Sequence, residues 1–291
     1  MPTYSCGQES GAPTAAPSLL EHAIISVCEP GPFAERSIAG MERAGPDLAG
    51  ARHISSRLDA TAHAGATIMD VCGADDRVPV PDATKYPFSA ICFLEMTFWD
   101  GTAEQSYIGT GFLFSGTAVY TAGHCIHDKT FGLARRIRVY PGRNGAAMPF
   151  GVLTSSSFYV PPEWVASHTP DFDYGAILLP SPGFSHTKFF GMESRPANYL
   201  ANEPVRTAGY PGDMPYATPY MVEGTVASVT ANRFAYMIDT MGGQSGSPVF
   251  TKNMYGFGNH FTLGIHCYGG CPNSATRVIP QVLERLPTKA A

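Results

Sequence analysis

From Asp76 onward the chain is a succession of short apolar runs, each cut off by Gly, Pro, Asn, Asp or Ser. Runs of this length, closed by turn residues, read as strands. Many of them at close spacing read as a barrel or sandwich. Strands are expected at 89–98, 107–114, 117–122, 136–140, 151–160, 174–179, 205–210, 221–229, 234–239, 248–250 and 263–268. One helix is expected near the C-terminal end. There Val278, Ile279, Val282, Leu283 and Leu286 share a face, and Pro280 falls in the first turn, where proline is tolerated.

Composition agrees with an all-β chain. Gly and Pro number 31 and 25 among 291 residues, and only 15% of residues are charged. A helical bundle or coiled coil would be poor in both Gly and Pro. No apolar run is long enough to span a membrane as a helix. A net charge of −5 offers no electrostatic footprint for nucleic acid or an anionic membrane.

Residues 1–69 differ from the rest. They are rich in Ala, Ser, Gly and Pro, and no aromatic residue lies between Phe33 and Tyr86. Weak helix is expected at 48–58. The segment reads either as a poorly packed extension or as a pro-segment removed by proteolysis. Its first residues have neither a basic n-region nor an apolar h-region, so no secretory signal is recognisable. Seven cysteines are present, an odd number, so at least one is free or pairs between chains.

Three short segments carry chemistry: Thr121-Ala122-Gly123-His124-Cys125, Asp173-Tyr174-Gly175-Ala176-Ile177 and Gly242-Gly243-Gln244-Ser245-Gly246-Ser247-Pro248. A serine hydroxyl is a weak nucleophile near neutral pH. It needs an imidazole to take its proton and a carboxylate to hold that imidazole. The glycines around Ser245 let the backbone approach a reacting carbonyl, where the N–H groups of Gly243 and Ser245 could form an oxyanion hole. Each segment alone also fits an ordinary turn or structural histidine. In the order His124, Asp173, Ser245 they fit a catalytic triad. The remaining histidines, His22, His53, His63, His127, His168, His186 and His260, sit in polar contexts that suit surface or loop positions.

With these segments in place, the sequence resembles the chymotrypsin clan, and within it the bacterial glutamyl endopeptidases. Gly73-Ala74-Asp75-Asp76-Arg77, Tyr140-Pro141-Gly142-Arg143-Asn144-Gly145, Gly209-Tyr210-Pro211-Gly212-Asp213 and Gly264-Ile265-His266 match as well. The resemblance covers roughly residues 71–286. It implies two six-stranded antiparallel barrels with the cleft between them and a C-terminal helix. The expected division is a pro-segment at 1–69, an N-terminal barrel at 70–190, and a C-terminal barrel with the terminal helix at 191–291.

It also implies a serine endopeptidase working through an acyl-enzyme. His124 is the general base, Asp173 orients it, Ser245 is the nucleophile, and the strand Cys267-Tyr268-Gly269 pairs with the substrate backbone. Thr240 and His266 match positions lining the pocket for the residue before the scissile bond (P1). There they would donate to a glutamate carboxylate. The mature N-terminus is implied near Asp70.

Asp239 is in tension with this, because trypsins hold a carboxylate for Lys or Arg six residues before the serine. A glutamate preference requires Asp239 to be satisfied elsewhere. Gln244 stands where trypsins place the aspartate that pairs with the new N-terminus, and a carboxamide cannot make that ion pair. Cys125 has Gly109 where its usual partner stands, so it either pairs with Cys92 or is a buried thiol. Cys267 and Cys271 either close a small disulfide loop or, with His266, form a metal site. The expectation is no metal and no cofactor. The chain is expected to be a secreted monomer acting on protein or peptide substrates. Rival expectations are a trypsin-like protease with a basic P1, an inactive protease-like binding module, and an esterase. The last lacks the Gly-Xaa-Ser-Xaa-Gly elbow.

Overall fold

The computed structural model describes residues 71–186, 188–251 and 259–289, with two further short strands at Ile25–Ser26 and Arg52–His53. The first sheet holds β1 (Ile91–Trp99), β2 (Glu104–Leu113), β3 (Ala118–Thr121), β4 (Arg136–Pro141), β5 (Leu153–Ser155), β6 (Ser157–Tyr159) and β7 (Gly175–Leu178). Their order is β6-β7-β3-β2-β1-β4-β5, antiparallel throughout. The strand expected at 151–160 is therefore two. Ser155 Oγ donates to the Leu178 carbonyl at 2.6 Å and accepts the Ser157 N–H at 3.0 Å. This side-chain bridge turns the chain at Ser156. β5 then pairs with β4 while β6 pairs with β7, and the seven strands form a nearly closed barrel.

The second sheet holds β8 (Pro204–Gly209), β9 (Tyr220–Val229), β10 (Arg233–Tyr236), β11 (Pro248–Thr251), β12 (Phe261–Tyr268) and β13 (Asn273–Arg277). Its order is β12-β11-β8-β9-β10-β13, and β13 also pairs with β12, so these six strands close. Gly191–Met192 adds a short parallel partner to β12, and Val78–Pro79 lies antiparallel to β9. β13 has no counterpart among the expected strands. Its sequence, Asn-Ser-Ala-Thr-Arg, has only one apolar residue, yet Asn273, Ala275 and Thr276 are buried.

The larger core fills the first barrel around Phe93, Phe112, Tyr120, Tyr140 and Phe158, and it reaches across to Tyr210, Phe250 and Ile265 of the second half. The second barrel has its own smaller core around Val222, Phe234, Tyr236, Val249 and Leu263. Two short helices matter here, α1 (Pro162–Ser167) and α2 (Pro280–Arg285). α2 is the expected C-terminal helix, but Leu283 is 40% exposed and off its packed face. Val282 and Leu286 bury themselves in the first barrel's core. Arg285 pairs with Glu163 of α1 at 2.9 and 3.0 Å, and Tyr120 and Ser115 donate to the carbonyls of Pro287 and Thr288. The chain thus leaves the second barrel and packs back against the first.

Most of the expected helix at 48–58 lies outside the described residues. Arg52–His53, inside that range, is instead a strand parallel to Tyr107–Ile108 of β2, and Ile25–Ser26 pairs with Ser157 and Phe158. Among the described residues, no helix is long and apolar enough to cross a membrane.

Candidate active site

The segment that carries His124 follows β3 through a single turn of 3-10 helix, Gly123–Cys125. Asp173 sits at the end of another such turn, just before β7. β3 and β7 are paired, so the two residues meet. One carboxylate oxygen of Asp173 accepts the His124 backbone N–H at 2.9 Å, and the other lies 2.8 Å from Nδ1. Asp173 is wholly buried and His124 is 3% exposed. Burial pulls the imidazole's pKa down, but the charge of Asp173 outweighs it and raises the pKa well above its ordinary value. Burial likewise raises Asp173, and His124 reverses that shift. With Nδ1 on the carboxylate, Nε2 is the outward nitrogen. It is buried and makes no hydrogen bond, to Ser245 Oγ or to any other described group.

Asp173 is also gripped from the second barrel. Thr276 Oγ1 donates to its main-chain carbonyl at 3.1 Å, and Cys267 Sγ lies 3.1 Å from the same oxygen. The Tyr268 hydroxyl also helps to hold its carboxyl below the ordinary range.

Ser245 comes to this place from the second barrel. Its carbonyl accepts the Thr110 N–H at 2.9 Å and lies 3.6 Å from Sγ of Cys125, the residue after His124. Thr110 Oγ1 donates to the Gly243 carbonyl, and Gly246 N–H donates to the His266 carbonyl at 2.7 Å. The turn is therefore tied to both barrels. Only glycine fits at Gly243 and Gly246. Both have positive φ (101° and 89°), and a Cβ on either would sit 2.5 Å or less from a backbone oxygen. Gln244 N–H and Ser247 N–H donate within the turn. The N–H groups of Gly243 and Ser245 donate to no carbonyl among the described residues.

The residues expected to line the P1 pocket, Thr240 and His266, are both buried and each has its own partner. Tyr236, from β10, places its hydroxyl 2.6 Å from Nδ1 of His266. Burial, and then the neighbouring His124, lowers the His266 pKa to about 3, so its ring is neutral near pH 7. Burial also keeps the Tyr236 phenol well above its ordinary pKa. The phenol therefore donates to Nδ1, and the ring proton sits on Nε2. Thr240 differs from expectation. Its hydroxyl donates to Asn273 Oδ1 at 2.8 Å, so its proton is already engaged. Asn273 in turn donates to the Ile238 carbonyl and accepts Gly270 N–H. Tyr236 and Asn273 were not singled out from sequence. A tyrosine in an apolar strand and an asparagine after Cys271-Pro272 carry no pattern of their own.

Asp239 is buried and engaged by backbone donors. Its two oxygens accept the backbone N–H groups of Cys72 and Asp76 at 2.7 and 2.9 Å. Cys72 is also disulfide-bonded to Cys271. The pairing of Cys267 with Cys271, and the metal site built from both, are thereby excluded. Cys267 instead stays a buried thiol beside Asp173 because its side chain points into the barrel contact. Cys92 and Cys125 are buried thiols and do not pair with one another. Gly269 follows Tyr268 and is exposed. Two family-matching segments touch: Arg77 makes a forked ion pair with Asp213 at 3.0 and 2.7 Å. Among the histidines given surface positions, His260 is buried against the Thr251 carbonyl, and His127 pairs with His168 at 3.2 Å. His22 and His63 lie outside the described residues. Among the described residues, no group of three or more His, Cys, Asp or Glu is arranged to hold a metal.

The family described as trypsin-like peptidase domain matches residues 109–255. A glutamyl endopeptidase of Bacillus licheniformis is 36% identical over 229 residues, which are 76% of this chain and 69% of that protein. The chain belongs to the glutamyl endopeptidase family of trypsin-like peptidases. It is a serine endopeptidase. Another relative of this glutamyl-endopeptidase-type chain, from Bacillus subtilis, carries the name extracellular metalloprotease. It is 30% identical over 217 residues, 74% of this chain and 68% of that one. Among solved structures, a Glu endopeptidase in complex with MPD superposes with a TM-score of 0.63 at 23% identity, covering 75% of this chain and 97% of its own. That likeness supports the two-barrel fold.

Proposed function

We propose that this serine endopeptidase cleaves after glutamate, through an acyl-enzyme. His124 Nε2 takes the proton of Ser245 Oγ as that oxygen attacks the scissile carbonyl, then returns it to the leaving amine. Contacts of this kind tighten when substrate is bound. Asp173 holds the tautomer and stabilises the imidazolium. The N–H groups of Gly243 and Ser245 receive the oxyanion. The backbone of Cys267, Tyr268 and Gly269 pairs with the substrate strand.

The observation that carries the glutamate preference is the engagement of Asp239 by Cys72 and Asp76 N–H. It ties the carboxylate to backbone donors of the 72–76 segment, while His266 offers a neutral Nε2–H donor. Thr240 orients Asn273 and the pocket wall, and it does not donate directly. A basic P1 has no carboxylate in this arrangement to receive it.

Residues 1–69 act as a pro-segment released near Asp70, leaving barrels at 70–190 and 191–291. The substrates are extracellular proteins or peptides, and the working unit is a secreted monomer. The test is a peptide-library digest with protein processed near Asp70, alongside the Ser245→Ala variant and a fluorophosphonate label. Cleavage after Glu that disappears in Ser245→Ala, with labelling at Ser245, is expected. Turnover retained by Ser245→Ala would overturn the mechanism. Wild-type cleavage after Lys or Arg would overturn the preference.

A further inference from the structure

Arg233 opens β10, and its guanidinium lies over the ring of Tyr268, with Cζ 4.4 Å from the ring centroid. Tyr268 belongs to the strand proposed to pair with substrate, and its ring also faces His124 at 6.3 Å between centroids. Arg233 is half-buried on the same wall of the cleft. Other arginines of this acidic chain meet carboxylates: Arg77 meets Asp75 and Asp213, Arg136 meets Glu104, and Arg285 meets Glu163. Arg233 meets none among the described residues. Its side chain donates to Ser274 Oγ and otherwise stacks on Tyr268. Asp171, a carboxylate near this turn, instead receives the amide of Asn232 at 2.8 Å. A guanidinium has five N–H donors in a fixed fork that matches a carboxylate. Here most of them are unengaged.

The backbone that carries this side chain is also held in place. Thr230 N–H donates to the Arg233 carbonyl at 2.8 Å, and Arg277 donates to the Thr230 carbonyl at 3.0 Å, so the turn before β10 is braced. A pre-positioned cation without a counter-ion, on the wall along which a substrate strand would run, is arranged for an anionic ligand.

We infer that Arg233 is a specificity-determining residue that binds an acidic side chain upstream of P1, at P3 or P4. Rising about 3.3 Å per residue, an extended peptide paired with the strand through Tyr268 brings those side chains past the Tyr268–Arg233 stack. The inference rests on the proposed substrate strand and P1 glutamate, and it narrows the favoured substrate to acidic stretches.

The test uses processed enzyme and fluorogenic peptides with P1 fixed as Glu and Ala, Glu or Lys placed in turn at P2, P3 and P4. In wild type, kcat/KM is expected to rise about five- to tenfold with Glu over Ala at P3 or P4, and to fall with Lys. Added salt should shrink the difference. Arg233→Met should abolish it while leaving kcat/KM for the all-Ala peptide near wild type, which also reports folding. Arg233→Lys keeps the charge but loses the fork, and should fall between the two. An acidic preference surviving in Arg233→Met, or absent in wild type at both P3 and P4, overturns this inference and leaves the P1 assignment intact. Absence of any cleavage after Glu overturns the P1 assignment and this inference together.

Discussion

Asp239 and Cys72, 167 positions apart in sequence, are joined by a 2.7 Å hydrogen bond from the Cys72 N–H to the carboxylate. That bond, with its twin from Asp76, turns a residue placed for basic recognition into an anchor for the segment from Cys72 to Asp76. Removing it should cost stability without creating or destroying a basic P1 activity. Asp239→Ala is expected to lower unfolding free energy by about 1–2 kcal/mol, because two part-buried hydrogen bonds lose their charged acceptor. Urea denaturation checks the first outcome and a Lys-P1 peptide the second. A wild-type Lys activity lost in the variant would place the carboxylate in the pocket after all.

The His124–Asp173 pair makes a prediction about pH. Burial alone would lower the His124 pKa, but Asp173 raises it above 6.5. A general base works only when neutral, so kcat/KM should decline as pH falls through that raised pKa. The acid limb should therefore lie above 6.5. Asp173→Asn removes the anion and frees the wrong tautomer. A drop in kcat of at least about 10³-fold is expected, with the acid limb shifted down. A pH–rate profile of both proteins decides it.

Tyr236 should act through His266. Tyr236→Phe leaves Nδ1 without its donor, so the imidazole no longer keeps its proton on Nε2. Cleavage after Glu is expected to fall about tenfold, with cleavage after neutral P1 residues nearly unchanged. Equal losses for both would mean that the pair only packs the barrel.

The Cys72–Cys271 bond closes a loop of 199 positions. Cys72→Ser, or reduction with a dithiol, should lower stability by about 2–4 kcal/mol. Equilibrium unfolding with and without reductant measures this. No difference would show that the Asp239 contacts alone hold the segment.

Much of this was legible in the sequence, for reasons particular residues explain. Ile91–Trp99 and Glu104–Leu113 pair along nearly their whole length, so their apolar runs are long and plain. Gly243 and Gly246 are irreplaceable where they stand, so the turn around Ser245 announces itself. The strand Asn273–Arg277 was invisible because its buried side chains are mostly polar ones satisfied by distant partners, such as Asn273 with Thr240 and Thr276 with Asp173. The partner of Cys271 was invisible for a related reason. Nearness in sequence favoured Cys267, whereas the fold brings Cys72 to within 5.6 Å between Cα atoms. The division of the 151–160 run depended on one hydroxyl, that of Ser155, capturing two backbone groups across a corner.

The docking of α2 bears on the order in which the protein can become itself. Chains emerge from the ribosome N-terminal end first, and domains tend to fold as they appear. Here the first barrel's core is completed by Val282 and Leu286, and Tyr120 waits for the carbonyl of Pro287. The first barrel is thus finished by residues that follow the whole of the second. The first barrel therefore cannot complete its packing until residues 282–287, beyond the second barrel, have been made.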